Sequence, residues 1–167
     1  MSTDEIYTFD NLAIRKAGKK YMLCNRWNKT KKVLTDIIRI TNGTEVINGK
    51  ETITLELDPK KNYDLYCYLT QLDGFLEQCK WNGQIQTKFQ MSPSFIDAIE
   101  HNKYISCVKD YKLKCQVRNT IFNPSHLEVI GNYCKCEIMI DYIWVFGTAY
   151  GCGIQIKSIV KQETINN

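Results

Sequence analysis

The chain has 167 residues, of which 44% are hydrophobic and 24% charged, with a net charge of +4. That is enough chain for one buried core, too apolar for disorder, and without the run of about 20 apolar residues that a membrane helix needs. The charge is uneven: nine Lys/Arg and one acid, Asp36, lie between Arg15 and Arg39, so this segment carries +8 and the rest of the chain −4.

The start, "MSTDEIYTFD", is acidic and polar. That is the reverse of a secretory leader's basic and then apolar start, which predicts an intracellular protein. In a reducing compartment the eight cysteines read as free, mostly buried thiols rather than disulfides. The sequons at Asn28 and Asn42 then carry no meaning as glycosylation sites.

The first predicted elements are a strand in "KKYMLCNRW", a basic loop "NKTKK" and a strand in "VLTDIIRIT". Turns are predicted at Asn42-Gly43 and Asn48-Gly49, on either side of a short strand "TEVI", and "ETITLELD" then alternates through Ile53, Leu55 and Leu57. Two Asn-Gly turns flanked by alternating residues predict an antiparallel meander.

Past Asp58-Pro59 the period changes: Leu65, Leu69, Leu72, Leu76 and Cys79 recur at helical spacing. A helix is expected over 62–80, weakened by about 1 kcal/mol at Gly74 relative to alanine. "WNGQIQTKFQM" reads as a short strand or loop, and "SPSFIDAIEHN" as a short helix opened by Ser92-Pro93. Strands resume in "KYISCVKDYKLKCQVRN", paired about Lys109-Asp110, and "NPSH" is a loop.

"CKCEIMIDYIWVFGTAYGCGIQIKSIVK" (134–161) closes the chain as two long strands about a glycine turn. In the first, Cys136, Ile138, Ile140, Tyr142, Trp144 and Phe146 share the more apolar face, expected inward for much of its length. Ile154 and Ile156 continue an apolar face opposite Gln155 and Lys157. The expected fold is mainly β with one substantial helix: an OB-type Greek-key β-barrel, or alternatively a small β-sandwich. One domain over 1–167 is expected, with short flexible ends near 1–10 and 162–167.

Catalytic signatures are missing. There is no P-loop, Gly-x-Ser-x-Gly or His-Glu-x-x-His, and only two histidines, His101 and His126. Cys134 and Cys136 share a strand face but lack a second ligand pair, so buried thiols are expected and no metal. Gly151-Cys152-Gly153 precedes a strand pattern rather than a helix, against a dinucleotide loop. The chain reads as a binder, neither an enzyme nor a cofactor protein.

Holding a single-stranded nucleic acid without reading its bases takes cations along the phosphates and aromatic faces for stacking. Arg15, Lys16, Lys19, Lys20, Arg26, Lys29, Lys31 and Lys32 supply cations, with Tyr21 and Trp27 among them. Trp27, just before the loop, is the stronger stacking candidate. Tyr21, beside Met22 and Leu23, suits a core role equally well. Tyr111 with Lys112, Lys114 and Arg118 repeats the theme, and Trp81 beside Lys80 is placed either on the same groove or as a cap of the barrel. Tyr142 and Trp144 read as core.

The run from "ETITLELD" through "YLTQLDGFLEQC" to the closing hairpin resembles the OB-fold single-stranded DNA-binding proteins of large double-stranded DNA viruses. These are distantly similar to phage replication single-stranded DNA-binding proteins. The resemblance covers roughly residues 50–162. It implies sequence-independent binding of single-stranded DNA, with RNA as a second ligand class, in replication, recombination or repair. Replication proteins and self-association are the further partners implied, with no membrane, in the host cytoplasm or nucleus if the protein is viral. The acidic tail by which many such proteins recruit partners is not matched in "SIVKQETINN".

The competing reading is a viral β-sandwich interaction module whose basic segment is a docking face or nuclear-localisation signal. Arg15-Lys16 and Lys29–Lys32 stand at bipartite spacing.

Overall fold

A computed structural model describes residues 12–47, 50–117 and 133–163, with side chains described up to residue 41, from 51 to 117 and from 133 to 159. The expected flexible ends, the Asn48-Gly49 turn and the "NPSH" loop therefore lie outside the described residues, apart from the backbone of 162–163. The chain divides into two compact units. The first comprises Met1–Lys31, Tyr68–Cys107 and Ile140–Gly153, the second Lys32–Cys67, Val108–Met139 and Ile154–Asn167.

In order, the elements are β1 (Leu12–Ala17), β2 (Lys20–Asn25), β3 (Lys31–Leu34), β4 (Ile38–Ile47), β5 (Lys50–Glu56), α1 (Tyr63–Gln78), α2 (Gly83–Lys88), α3 (Pro93–Ile99), β6 (Lys103–Ile105), β7 (Val108–Lys109), β8 (Lys112–Val117), β9 (Tyr133–Phe146) and β10 (Ala149–Glu163). The path β9-β4-β5-β8-β10 returns to its start, because β9 also pairs with β10. Counted along the chain, β4, β5, β8, β9 and β10 are the first to fifth strands of a ring ordered 1-2-3-5-4-1. This is the Greek-key order of an OB barrel. The fold class expected from the sequence is the one observed, and the sandwich alternative is not.

Within the second unit, β4 and β5 pair antiparallel with Ile47 opposite Lys50, and β5 pairs β8 with Leu55 opposite Leu113. β8 and β10 run parallel, Gln116 beside Gln155. Ile38, Ile40, Ile53, Leu55, Leu113, Cys115, Cys134, Cys136, Ile138 and Ile156 are buried, as period-two alternation requires of a barrel interior.

Within the first unit, β1 and β2 form an antiparallel hairpin about Gly18, whose φ of 63° suits glycine. β2 pairs with the second half of β9, and the start of β10 runs parallel to β6. Leu69, Leu72, Leu76 and Cys79 of the expected helical stripe are buried here, as is Leu65 in the second unit.

Four local expectations are corrected. No turn forms at Asn42-Gly43: β4 runs through both, and register shifts against β5 flank Asn42. Short polar and glycine residues suit a β-bulge as well as a turn. The stretch "VLTDIIRIT" is two strands rather than one, broken where the buried Thr35 gives its N–H to Cys136 O at 2.9 Å and Asp36 accepts the Ile37 N–H at 2.7 Å. Residues 83–88 are a helix, not a strand or loop. Asn82 caps it, its Oδ1 accepting from Gln84 N at 3.1 Å and Ile85 N at 3.3 Å. Finally, the apolar face of β9 ends at Tyr142, since Phe146 is 69% exposed.

The glycines of "GCG" have a packing role. A Cβ on Gly151 would lie 2.5–2.9 Å from the indole of Trp144, and one on Gly153 would overlap the ring of Tyr142. The two aromatics of β9 pack against the two glycines of β10.

Candidate nucleic-acid interface

Lys16, Lys19 and Lys20 surround the β1–β2 turn and are exposed. Tyr21, opposite Lys16, lies on the sheet face away from its neighbour Lys20. It is half-buried, donates its hydroxyl to Ser94 O at 3.1 Å, and sets its ring edge-on to Phe95 at 5.4 Å. Of its two sequence readings, this is the core one. Arg15 is also tied down, its Nη2 donating to Arg26 O at 3.3 Å and to Gln90 Oε1 at 3.1 Å.

Asn25 builds the loop after β2. Its Oδ1 accepts from Trp27 N at 2.9 Å and Lys29 N at 3.0 Å, while its own N–H reaches Lys29 O at 2.9 Å. Asn28 donates its N–H to Asn25 O and takes a φ of 63°, a conformation asparagine tolerates better than most residues. The clamp raises Trp27 at the loop tip, 63% exposed, with the Arg26 guanidinium 5.8 Å from its ring centroid. Arg26 and Lys29 are exposed. Lys31 is half-buried with its Nζ 4.5 Å from the Tyr68 ring centroid, and burial lowers its pKa to about 8.

A second aromatic group in the same unit surrounds Trp81, which is 71% exposed. The Lys80 ammonium sits 4.8 Å from its ring centroid and donates to Asn102 O at 2.6 Å. Asn102 Nδ2 in turn donates to Ala149 O at 3.0 Å, and Lys103 N to Thr148 O at 2.8 Å, fixing the tip of the β9–β10 hairpin. Phe146 stands at that tip. Sequence reasoning placed Phe146 with the inward residues; the signal available was Gly147, φ 59°, immediately after it. Beside Trp81 is an open hollow of about 620 Å³ lined by Gln78, Asn82, Gly83 and Gln84.

In the second unit, Lys32 is exposed on β3, and Lys112 and Lys114 are exposed on β8. Tyr111 is 41% exposed and stacked on Tyr66, centroids 4.6 Å apart and planes 18° from parallel. Arg118 lies outside the described residues.

Burial raises the pKa of several thiols, whereas hydrogen bonds from Cys134 and Thr35 lower that of the buried Cys136. Burial pushes Cys79 up to about 12 and raises Cys115 well above the ordinary thiol value. Among the described residues no three His, Cys, Asp or Glu side chains converge as metal ligands would. His101 is solvent-exposed, 4.0 Å from Glu100, and His126 lies outside the described residues.

Searched by sequence, the chain matches no protein-family model and no curated protein. Compared by fold with solved structures, it matches the single-stranded DNA-binding protein of bacteriophage Enc34 in complex with ssDNA. The TM-score is 0.51 at 10% identity, over 93% of this chain and 97% of that one. A C-terminal truncation of the phage protein aligns with a TM-score of 0.46 at 13% identity, over 93% and 95% of the two chains. At 10% identity the likeness is one of fold.

Proposed function

We propose that the chain is a sequence-independent single-stranded DNA-binding protein, acting in DNA replication, recombination or repair of a large double-stranded DNA virus. The observation that carries this reading is the fold likeness, along nearly all of both chains, to a phage protein solved with ssDNA. The surface of the first unit supports it. Lys16, Lys19, Lys20, Arg26 and Lys29 are exposed cations, and Trp27 offers a face held out by the Asn25 clamp. Phosphates meet the cations and a base stacks on the indole, an arrangement that every base satisfies. Phe146 and Trp81 are further stacking surfaces of the same unit. The viral assignment draws on the sequence resemblance and on the phage origin of the fold neighbour.

The test is binding of fluorescent oligo-dT over a salt series, with duplex of equal length as competitor. The expected result is affinity that falls steeply with salt, with a log–log slope of about −0.7 per phosphate contact, and poor competition by duplex. Trp27→Ala should cost about 1–3 kcal/mol of binding. Absence of binding at low salt refutes the proposal.

A further inference from the structure

Chain direction reverses between β7 and β8 at Asp110 and Tyr111, and both are left-handed, with φ of 54° and 59°. Two-residue hairpin turns of this kind ordinarily use Asn-Gly or Gly-Gly, because side chains are disfavoured there. A tyrosine in the second position costs conformational energy that glycine would not. Strain retained at an exposed position points to use of the side chain. The backbone is held in place, since Leu57 N donates to Tyr111 O at 2.7 Å.

What the strain presents is a flat ring. Tyr66, in the first turn of α1, backs one face of Tyr111, which remains 41% exposed. Tyr63, at the start of α1, is 58% exposed. Cations flank the ring on both strands. Lys109 and Lys112 are directly opposite each other across the hairpin, a like-charge pairing that sheets normally avoid. Lys114 follows two residues on along the same face of β8. Of the neighbouring acids, Asp58 is occupied by the N–H groups of Lys60 and Lys61, at 2.8 and 2.9 Å. Glu56 lies opposite Lys112 on β5, and Asp64 and Asp110 are exposed. With Lys60 and Lys61 exposed as well, cations slightly outnumber acids, so stacking rather than charge is the larger attraction here.

We infer that the β7–β8 turn is a second base-stacking site for single-stranded DNA. A base lies on the open face of Tyr111, with Tyr66 behind it, and Lys109, Lys112 and Lys114 meet the adjoining phosphates. The inference rests on the proposed function and adds to it a site in the second unit. It also assigns roles to Tyr66 and Lys109, which the sequence did not single out.

Tyr111→Gly separates binding from folding, because it removes the ring and relieves the backbone at once. The expected result is thermal stability at or near that of the parent, with affinity for oligo-dT reduced about 5- to 150-fold. Asp110→Gly relieves the same strain but keeps the ring, and should bind as the parent does. Lys109→Ala with Lys112→Ala should flatten the salt slope by about 0.7 for each lysine. Photocrosslinking of the parent protein to 5-iodouracil-substituted oligo-dT reads the site without mutation, and an adduct on Tyr111 supports it.

Parent-level affinity in Tyr111→Gly, or crosslinks on Trp27 with none on Tyr111, overturns this site and leaves the proposed function standing. No oligo-dT binding by the parent protein overturns both.

Discussion

Gly153→Ala gives the sharpest test of the closing hairpin. Gly153 is buried at the start of β10, and an added methyl would overlap Cζ, Cε1 and Cε2 of Tyr142. Those atoms belong to a ring that is itself only 8% exposed, so it cannot swing into water without opening the sheet. Overpacking of this kind costs about 1–3 kcal/mol. For a chain of this size each kcal/mol moves the melting temperature by about 2–4 °C, so the expected fall is about 2–12 °C. Thermal unfolding by circular dichroism and by tyrosine and tryptophan fluorescence reads the shift, and coincident transitions show whether one number describes it. The mechanism is specific to one contact. Truncating the ring in the same chain, Gly153→Ala with Tyr142→Ala, should cost less than the two single changes together, by about 1–3 kcal/mol of coupling. An unchanged melting temperature in Gly153→Ala, or strict additivity in the double variant, would refute the stacking of Tyr142 on Gly153.

Gly74→Ala should do the opposite: a Cβ there meets nothing within 4 Å, and the better helix former adds about 1 kcal/mol, read as a rise of about 2–4 °C. Lys31 predicts a pH dependence. Burial lowers its folded pKa to about 8 from 10.5, so between those values the unfolded chain holds more protons and this group's contribution makes stability rise with pH. Lys31→Gln, which carries no charge in either state, should remove that rise, read by denaturant unfolding from about pH 8 to pH 10.5.

Where a segment's structure follows from its own residues, the sequence was a sufficient guide. The leucine stripe of α1 and the alternation of Cys136, Ile138 and Ile140 each bury one face whatever lies opposite, and both are found as expected. Ser92-Pro93 opens α3 for a similarly local reason. The misreadings arise where a partner decides. Asn42-Gly43 fits a turn or a bulge, and only the pairing of β4 with β5 selects the bulge. No residue of α2 is buried, so it has no apolar period to detect; its signal was the Asn82 cap. The strand pattern after Gly-Cys-Gly spoke against a ligand loop, but the reason for its glycines, the rings of Trp144 and Tyr142 that need the space, lies on another strand. The ring order of the barrel depends on strands far apart in the chain, and no local pattern encodes it.

The basic segment shows the same division within the candidate site. Counting charges cannot separate a cation that is presented from one that is anchored. Arg15 is committed to Arg26 and Gln90, and Lys31 to the face of Tyr68, so both serve to hold the surface on which Trp27 is displayed. Within the first unit that leaves five exposed cations of the segment, Lys16, Lys19, Lys20, Arg26 and Lys29. At about 0.7 per contact, five cations set a limiting salt slope of about −3.5. A measured slope steeper than that requires phosphates bound beyond these five cations, and the exposed Lys32, Lys109, Lys112 and Lys114 of the second unit are then the place to look for them. A shallower slope, with affinity retained at high salt, would shift the weight of binding from the lysines to Trp27, Phe146 and Tyr111.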